Sequence, residues 1–502
     1  MDKDFWFSKK EKKFLHNIDT FYFSVKLHDD FTRDASAYNV ERLRRCVAKY
    51  VSYPDAGPFV ETNYETPVLY RKGCYAFFYN FRLEVPEEFD FYFAPVVPDG
   101  AETVASVTSE IVVQIRSRLL WDLGAKLAFD RAFGFVKDFC GTFDLSIAEV
   151  KENRCDFCWH MNALQDPETY LRIDNFSQMQ VSSYKRVRYE YQLKAKGFES
   201  DYIALGKRGQ KVFVRMYLKT KEVVEQGYKG WFFYYWYYNG LISAYDLYVL
   251  EKAYENKNWM YCNIARLEFA LENDDTLPGM ARRRMKQLLD AAGAGKPDHA
   301  AIEKAADQYT PKLTKILNVE FQVMRKMTKT FILPERNRDA GVVSRIYDFL
   351  DARPAVTEYL TRKTLRLVRP GDDDNKSRLD YTDFWKRLRN TKQIDVRNKK
   401  QIKLVRDYSS KLDLKVRRMK AAKAVSAYSI TLTKNPGRTI YEDTAELLAC
   451  LNDNDMHRLN QYKYKYYNSM RADDEPDEGL IDLIRQRHIR ILNEDGDFYE
   501  SS

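Results

Sequence analysis

The sequence predicts an α+β protein: a curved antiparallel sheet with flanking helices, followed by a mostly helical C-terminal region. Three observations predict it. Short β-rich runs with period-two alternation crowd the first half of the chain. Helix-forming composition takes over from about residue 276. With 502 residues, 45% of them hydrophobic and 31% charged, the chain has material for two or three globular domains. The expected division is an α+β domain over residues 1–275, a helical region over 276–370 and a basic helical region over 371–502 that ends in an acidic tail.

The expected elements follow in order. Ile18–Val25 alternates as a half-buried strand does, and Gly73–Phe81 and Val107–Ile115 read as further strands. The last runs into a helical pattern around Leu119, Leu120, Leu123 and Leu127. Strands are expected again at Arg154–His160, Val187–Leu193, Lys211–Tyr217 and Ile264–Leu271. Trp231–Tyr238 is an unbroken aromatic run, read first as a buried helix covering the sheet and second as a stacking platform for single-stranded DNA. Ala281–Ala292 and Ala300–Asp307 have helical composition and are separated by the loop Gly293–Pro297. The helical texture is expected to continue through Pro311–Lys329, and Arg369–Asn375 is the best linker candidate. Trp385–Lys423 holds fifteen Lys or Arg against three Asp, with apolar positions that suggest one or two amphipathic helices.

The net charge is +9, and acidic clusters at Asp473–Glu478 and Asn493–Asp497 leave the preceding chain more basic than that total. Basic charge mixed with 36 tyrosines suits a polyanion whose bases can be stacked upon. No apolar run approaches the ~20 residues of a membrane span, and Met1–Trp6 lacks the pattern of a secretory signal, so a cytoplasmic protein is expected. Seven irregularly spaced cysteines argue against a disulfide framework, and Cys155-x-x-Cys158 has no second pair for zinc. The six histidines form no H-x-H or H-E-x-x-H pair, and there is no G-x-x-x-x-G-K-[ST] loop for nucleotide hydrolysis.

Three short motifs remain. In Arg154–His160, alternation puts Arg154, Asp156, Cys158 and His160 on one strand face. In Gly206–Glu222, a basic turn with Lys207 and Arg208 leads into a strand with Arg215, Tyr217 and Lys219 on one side. In Arg266–Leu271, Arg266 and Glu268 lie together on the expected strand.

This order, R-x-D, then G-K-R with R-x-Y-x-K-x-x-E, then R-x-E-F-x-L, resembles the replication-initiation-factor (Rep_trans) family of rolling-circle plasmid and phage initiators and related relaxases. The resemblance covers roughly residues 15–275, and Asp383–Arg389 is similar to a segment found beyond the catalytic domain of some initiators. It implies a nicking enzyme on a curved antiparallel sheet, with Tyr217 as nucleophile assisted by Arg215 and Lys219. The expected products are a 5′-phosphotyrosine link and a free 3′-OH primer. Asp156, Glu268 and His160 would hold Mg²⁺ or Mn²⁺; the family often has a carboxylate where His160 stands, and Glu190 competes as a ligand. Tyr202, Tyr228 and Tyr234–Tyr238 compete as nucleophiles. Lys207, Arg208, Lys386, Arg387, Arg389, Lys399, Lys400, Arg417 and Arg418 are the expected DNA contacts. Expected partners are origin DNA, a host helicase and polymerase (the chain shows no motor of its own) and a second copy in a homodimer. Two other readings stay open: a conjugative relaxase with the same chemistry, and a non-catalytic DNA- or RNA-binding protein on the same fold.

Overall fold

The computed structural model describes residues 13–27, 69–72, 81–93, 109–142, 145–164, 166–182, 187–194, 197–333, 335–371, 378–396, 405–406 and 414–470. The chain divides into two compact units, Met1–Lys329 with Leu333–Leu404, and Thr330–Ile332 with Val405–Ser502.

The first unit is built on β1 (Phe14–Leu27), a 14-residue strand whose aromatic and β-branched residues favour extended backbone. Further strands are β2 (Leu69–Lys72), β3 (Phe81–Val85), β4 (Phe89–Phe93), β5 (Ile111–Ile115) and β6 (Ile147–Met161). The short β7 (Gln180–Ser182) precedes β8 (Val187–Lys194), β9 (Gly197–Leu205), β10 (Val212–Leu218) and β11 (Leu317–Met324). Ten of these form one sheet in the order β2-β3-β4-β5-β1-β6-β11-β10-β9-β8. Every pairing in it is antiparallel. Register shifts at Ile18/Thr20, Tyr22/Phe23 and Lys26/Leu27 mark irregularities that bend β1 along β6.

Helices α1 (Ser117–Leu123) and α2 (Ala125–Thr142) follow β5. They are separate because Gly124 adopts φ +79°, and a Cβ there would meet the Cβ of Asp395 at 2.7 Å. Asp395 caps α2 by accepting from the Ala125 N–H at 2.8 Å and pairs with Arg353 at 3.0 Å. Between β10 and β11 the chain runs through α3 (Lys219–Gln226), α4 (Trp231–Tyr238), α5 (Ala244–Glu255), α6 (Tyr261–Asn273), α7 (Gly279–Gly293) and α8 (His299–Tyr309). It returns beside its point of departure, where the Lys219 N–H donates to the Ile316 carbonyl at 2.8 Å. Helices α9 (Ser344–Tyr359) and α10 (Asp383–Asn390) complete the unit's main elements.

Register decides what each sheet face carries, because residues directly opposite share a face. Phe157 and Trp159 of β6 lie opposite Phe321 and Val319 of β11, forming an apolar face. Phe21 of β1 stacks on Phe349 of α9 with ring centroids 5.9 Å apart, and Phe321 meets Trp385 of α10 at 6.5 Å. Phe23 packs edge-on against Phe129 of α2 at 5.0 Å. The opposite face is polar and holds the candidate site.

The second unit contains β12 (Phe331–Ile332), paired with β14 (Val405–Arg406), and helices α11 (Leu414–Thr433), α12 (Ile440–Ala449) and α13 (Asp453–Met470). The first unit also has β13 (Leu365–Leu367) against β7. Among the described residues no helix is long and apolar enough to cross a membrane.

The α+β expectation holds, with two corrections. Ile264–Leu271 is helical, inside α6: Ile264, Leu267 and Leu271 satisfy a helical period as well as they fit a strand. Residues 311–329 are helical only at Arg325–Thr328, because Leu317, Val319, Phe321 and Val323 form one alternating row of β11 inside the sheet. The first compact unit runs on to Leu404. At the expected linker, Arg369 donates its N–H to Asp380, and Thr382 donates to Leu367, tying the chain back into the same unit; residues 372–377 lie outside the described residues. Of the expected strand Gly73–Phe81, only Phe81 is described.

Phe157 is fully buried in the middle of the sheet. Phe157→Ala is expected to cost about 3–5 kcal/mol, measured by urea denaturation with ligand-free protein; a cost under about 1 kcal/mol would contradict this packing.

Candidate active site on the polar face of the sheet

The site is assembled by three neighbouring strands. Arg215 and Tyr217 of β10 lie opposite Glu320 and Asn318 of β11. These lie in turn opposite Cys158 and His160 of β6, while Gln322 faces Asp156. Alternation along each strand brings all eight side chains to one face.

Tyr217 is the centre of the network. Its hydroxyl donates to Glu320 Oε2 at 3.1 Å and accepts from Asn318 Nδ2 at 2.9 Å and from Lys219 Nζ at 3.3 Å. Arg215 forms an ion pair with the other oxygen of Glu320, and its guanidinium lies 5.5 Å from the Tyr217 ring centroid. Lys219 also pairs with Glu222 at 2.6 Å. Tyr217 is only 6% exposed, and burial pushes its phenol well above the usual value of 10, with Glu222 and Glu320 adding to the effect. Burial works against the Lys219 charge, but Glu222, Tyr217 and Asp19 hold the ammonium well above its ordinary range. Asp19 is paired with Lys229 at 3.2 Å.

Asp156 is gripped by Arg154, with Nε to Oδ1 at 2.8 Å and a second ion pair through the other guanidinium nitrogen. Burial pushes its carboxyl up to about 6 against the pull of Arg154. His160 is fully buried; Trp236 of α4 donates its indole N–H to Nδ1 at 3.2 Å, and Trp121 stacks on the ring at 4.8 Å. The ring proton is therefore assigned to Nε2, which has no hydrogen-bond partner.

The expected residues thus divide. Tyr217, Arg215, Lys219, Asp156 and His160 share the polar face. Glu268 does not join them: it lies on α6, 3.4 Å from the Tyr261 hydroxyl, while Arg266 is committed to Asp307 and Thr310. The carboxylate beside the tyrosine is Glu320, which the sequence reading missed, together with Asn318. Their signal was the alternation of Leu317–Met324, obscured by the apolar residues Leu313 and Ile316 just before it.

The residues as placed do not fit a divalent ion. Among the described residues no three His, Cys, Asp or Glu side chains come together as a cation site. Asp156 and Glu320 are each engaged by a guanidinium, His160 presents a protonated nitrogen, and Cys155 and Cys158 point to opposite faces of β6. The Glu190 backbone lies on β8, at the sheet edge.

The expected DNA contacts are also dispersed. Lys207 and Arg208 are exposed on the β9–β10 turn. Arg387 is exposed on α10, Lys386 lies 4.0 Å from Asp383, and Arg389 sits 4.5 Å over the Tyr381 ring. Phe384, Trp385 and Leu388 of the same helix are core residues. Arg417 and Arg418 fall on α11; Lys399 and Lys400 lie outside the described residues. The aromatic run is a helix that divides its surface: Phe232, Phe233 and Trp236 are buried, while Tyr234, Tyr237 and Tyr238 are exposed.

No family model and no curated protein matches this chain. Among solved structures, it is similar to a rolling circle replication initiator protein from Geobacillus stearothermophilus, at 13% identity and a TM-score of 0.33, over 75% of this chain and 95% of that one. An overlap this loose leaves function to be read from the side chains of the sheet.

Two buried histidines set the acid response. His16 donates its Nδ1–H to the Cys158 carbonyl at 2.9 Å, and burial lowers its pKa to about 3; burial and Lys219 push His160 well below its usual value. Both rings are neutral when folded and gain protons when unfolded. Their stabilisation is thus fully present above about pH 6.5 and is lost as pH falls toward the folded-state value. Asp156 acts in the opposite sense, its contribution being lost as pH rises through about 6. Between about pH 7.5 and 5, His16 alone should remove about 2 kcal/mol, offset only partly by Asp156. Urea midpoints measured across this range should fall with acidification, and more shallowly in His16→Gln; identical slopes would refute the assignment.

Proposed function

We propose that the polar sheet face is a DNA strand-nicking and joining site of a replication initiator, with Tyr217 as the nucleophile. The observation that carries this reading is the hydrogen bond from the Tyr217 hydroxyl to Glu320, flanked by Lys219, Asn318 and Arg215. Glu320 accepts the phenolic proton as the tyrosine oxygen attacks a phosphorus atom. The P–O bond to the 3′ oxygen breaks, leaving a 5′-phosphotyrosine and a 3′-hydroxyl. Lys219 and Arg215 offset negative charge developing on the phenol oxygen and the phosphoryl oxygens. A proton must reach the departing 3′ oxygen, and Lys219 is the nearest donor to the hydroxyl outside the amide of Asn318. No step is routed through a metal, since the carboxylates are held by arginines.

A second reading is favoured by the enclosure of that hydroxyl. A tyrosine 6% exposed and pushed well above 10 is also what a structural network inside a non-catalytic DNA-binding sheet requires. Cleavage demands that a bound strand displace the side chains around Tyr217, and α4 borders the site through Phe232, 5.5 Å from Lys219 Nζ.

The test is nicking of supercoiled DNA from the native element. Wild type should give open circles with protein on a 5′ end, Tyr217→Phe should give none, and Glu320→Gln should lose about 10²-fold or more in rate. Equal nicking by wild type and Tyr217→Phe would place the nucleophile elsewhere; DNA binding without nicking by either would favour the binding reading. Loss of nicking in EDTA would mean that Asp156 and Glu320 leave their arginines to take a metal.

A further inference from the structure

Helices α6, α7 and α8 form a small module with a core of its own, inserted between two adjacent strands of the sheet. Leu267 and Ala270 of α6, Met285 of α7, and Ile302, Ala305 and Ala306 of α8 are buried together. The connections are short: residues 274–278 join α6 to α7, and residues 294–298 join α7 to α8. Asp298 caps α8 by accepting from the Ala301 N–H at 3.0 Å, and Gly295 takes φ +75° in the turn. The arrangement is three packed helices with a solvent-facing one in the middle of the sequence order.

The inner side of α7 is committed to that core through Ala281 and Met285, with Leu288 and Leu289 packed beside them. Its outer side has no such role. Arg283, Arg284, Lys286 and Gln287 are all exposed. On a helix of 3.6 residues per turn, Arg283 and Gln287 stand one above the other at the centre of this face, with Arg284 and Lys286 on its two flanks. Arg284 and Lys286 have no acidic partner among the described residues, and Arg283 reaches only the Gly279 carbonyl of its own helix. Among the described residues, Arg282 is the one cation of α7 in an ion pair, with Asp275 at 3.3 Å. Asp290, the single acid on the helix, is also exposed on this face, one turn beyond Lys286 and Gln287.

We propose that α7 is a duplex-DNA recognition helix that enters the major groove. Arg283 and Gln287 face base edges, which suits the donor and acceptor patterns of guanine and adenine respectively. Arg284 and Lys286 contact phosphates on either side of the groove. The occupant is duplex DNA because three cations outnumber the one carboxylate on this face and stand beside planar bidentate hydrogen-bonding groups, while Asp290 can accept from a cytosine amino group in the same groove; an apolar partner would leave all of them unsatisfied. This inference goes beyond the sheet site and needs no chemistry there.

The experiment uses the full chain carrying Tyr217→Phe, so that cleavage cannot intervene, and a fluorescein-labelled mixed-sequence DNA duplex of about two helical turns. Binding is followed by anisotropy across a salt series. Arg284→Gln with Lys286→Gln should weaken binding and reduce the slope of log affinity against log salt by about 1.8, or ~0.9 per lost phosphate contact. Arg283→Ala with Gln287→Ala should keep most of the slope but lose sequence preference in selection from a randomised duplex pool. Lys304→Gln, at an exposed position of α8, should change neither. The proposal is overturned by an unchanged salt slope in the Arg284/Lys286 variant, by an equal loss in Lys304→Gln, or by losses confined to single-stranded DNA or to RNA. All four substituted α7 side chains are exposed, and circular dichroism of each variant checks that the helices persist. Failure of the nicking reading would instead appear as intact duplex binding without cleavage by the Tyr217 protein.

Discussion

The ion pair between Arg215 and Glu320, on neighbouring interior strands of a ten-stranded sheet, is the interaction on which the polar face depends. A carboxylate at Glu320, which is fully buried, is tolerable only with a cation and hydrogen-bond donors around it. Arg215 supplies the charge, while Tyr217 and Asn318 occupy the remaining oxygen. Removing either charge would strand the other in a low-dielectric interior, a larger penalty than the net contribution of the intact pair. The same logic repeats one strand away, where Arg154 holds Asp156.

That constraint explains why the helices around the site are so aromatic. Charged groups inside a sheet stay paired only if water is excluded, and Trp121, Phe232 and Trp236 close over His160 with ring contacts of 4.8, 4.9 and 5.7 Å. The chain leaves the sheet at Leu218 and rejoins it at the facing Leu317, and within the helical excursion between them α6, α7 and α8 bury a core of their own. The three-helix module can carry a surface of its own because its apolar side is satisfied internally. The polar network of the sheet and the outer face of α7 therefore draw on separate apolar cores.

Much of the sheet was legible because its strands alternate. β1, β6 and β10 announce themselves by aromatic and β-branched residues at period two, and that period alone placed Arg154 with Asp156, and Arg215 with Tyr217, on one face of their own strands. The carboxylate partner was misplaced. Arg266-Leu267-Glu268 satisfies the expected motif locally, yet Leu267 and Ala270 bury against Met285 and Ile302 in a helical module, which fixes a period of 3.6 instead of 2. Glu320 was invisible for the opposite reason: its strand follows a run of apolar residues that blurs the change of period.

The sequence by itself determined the class of fold, the strand character of the segments that hold the tyrosine, and the clustering of basic and aromatic residues. These are local properties, set by propensity and by side-chain alternation along one segment. Which carboxylate meets Tyr217 was decided only by tertiary structure, because β10 and β11 are separated by residues 219–316 and their register is set by packing of the whole sheet. The same holds for α7, whose outer arginines became a free face only when its inner leucines and methionine found their partners on α6 and α8. Proximity across such distances is a property of buried apolar area and strand order, and no short stretch of sequence contains it.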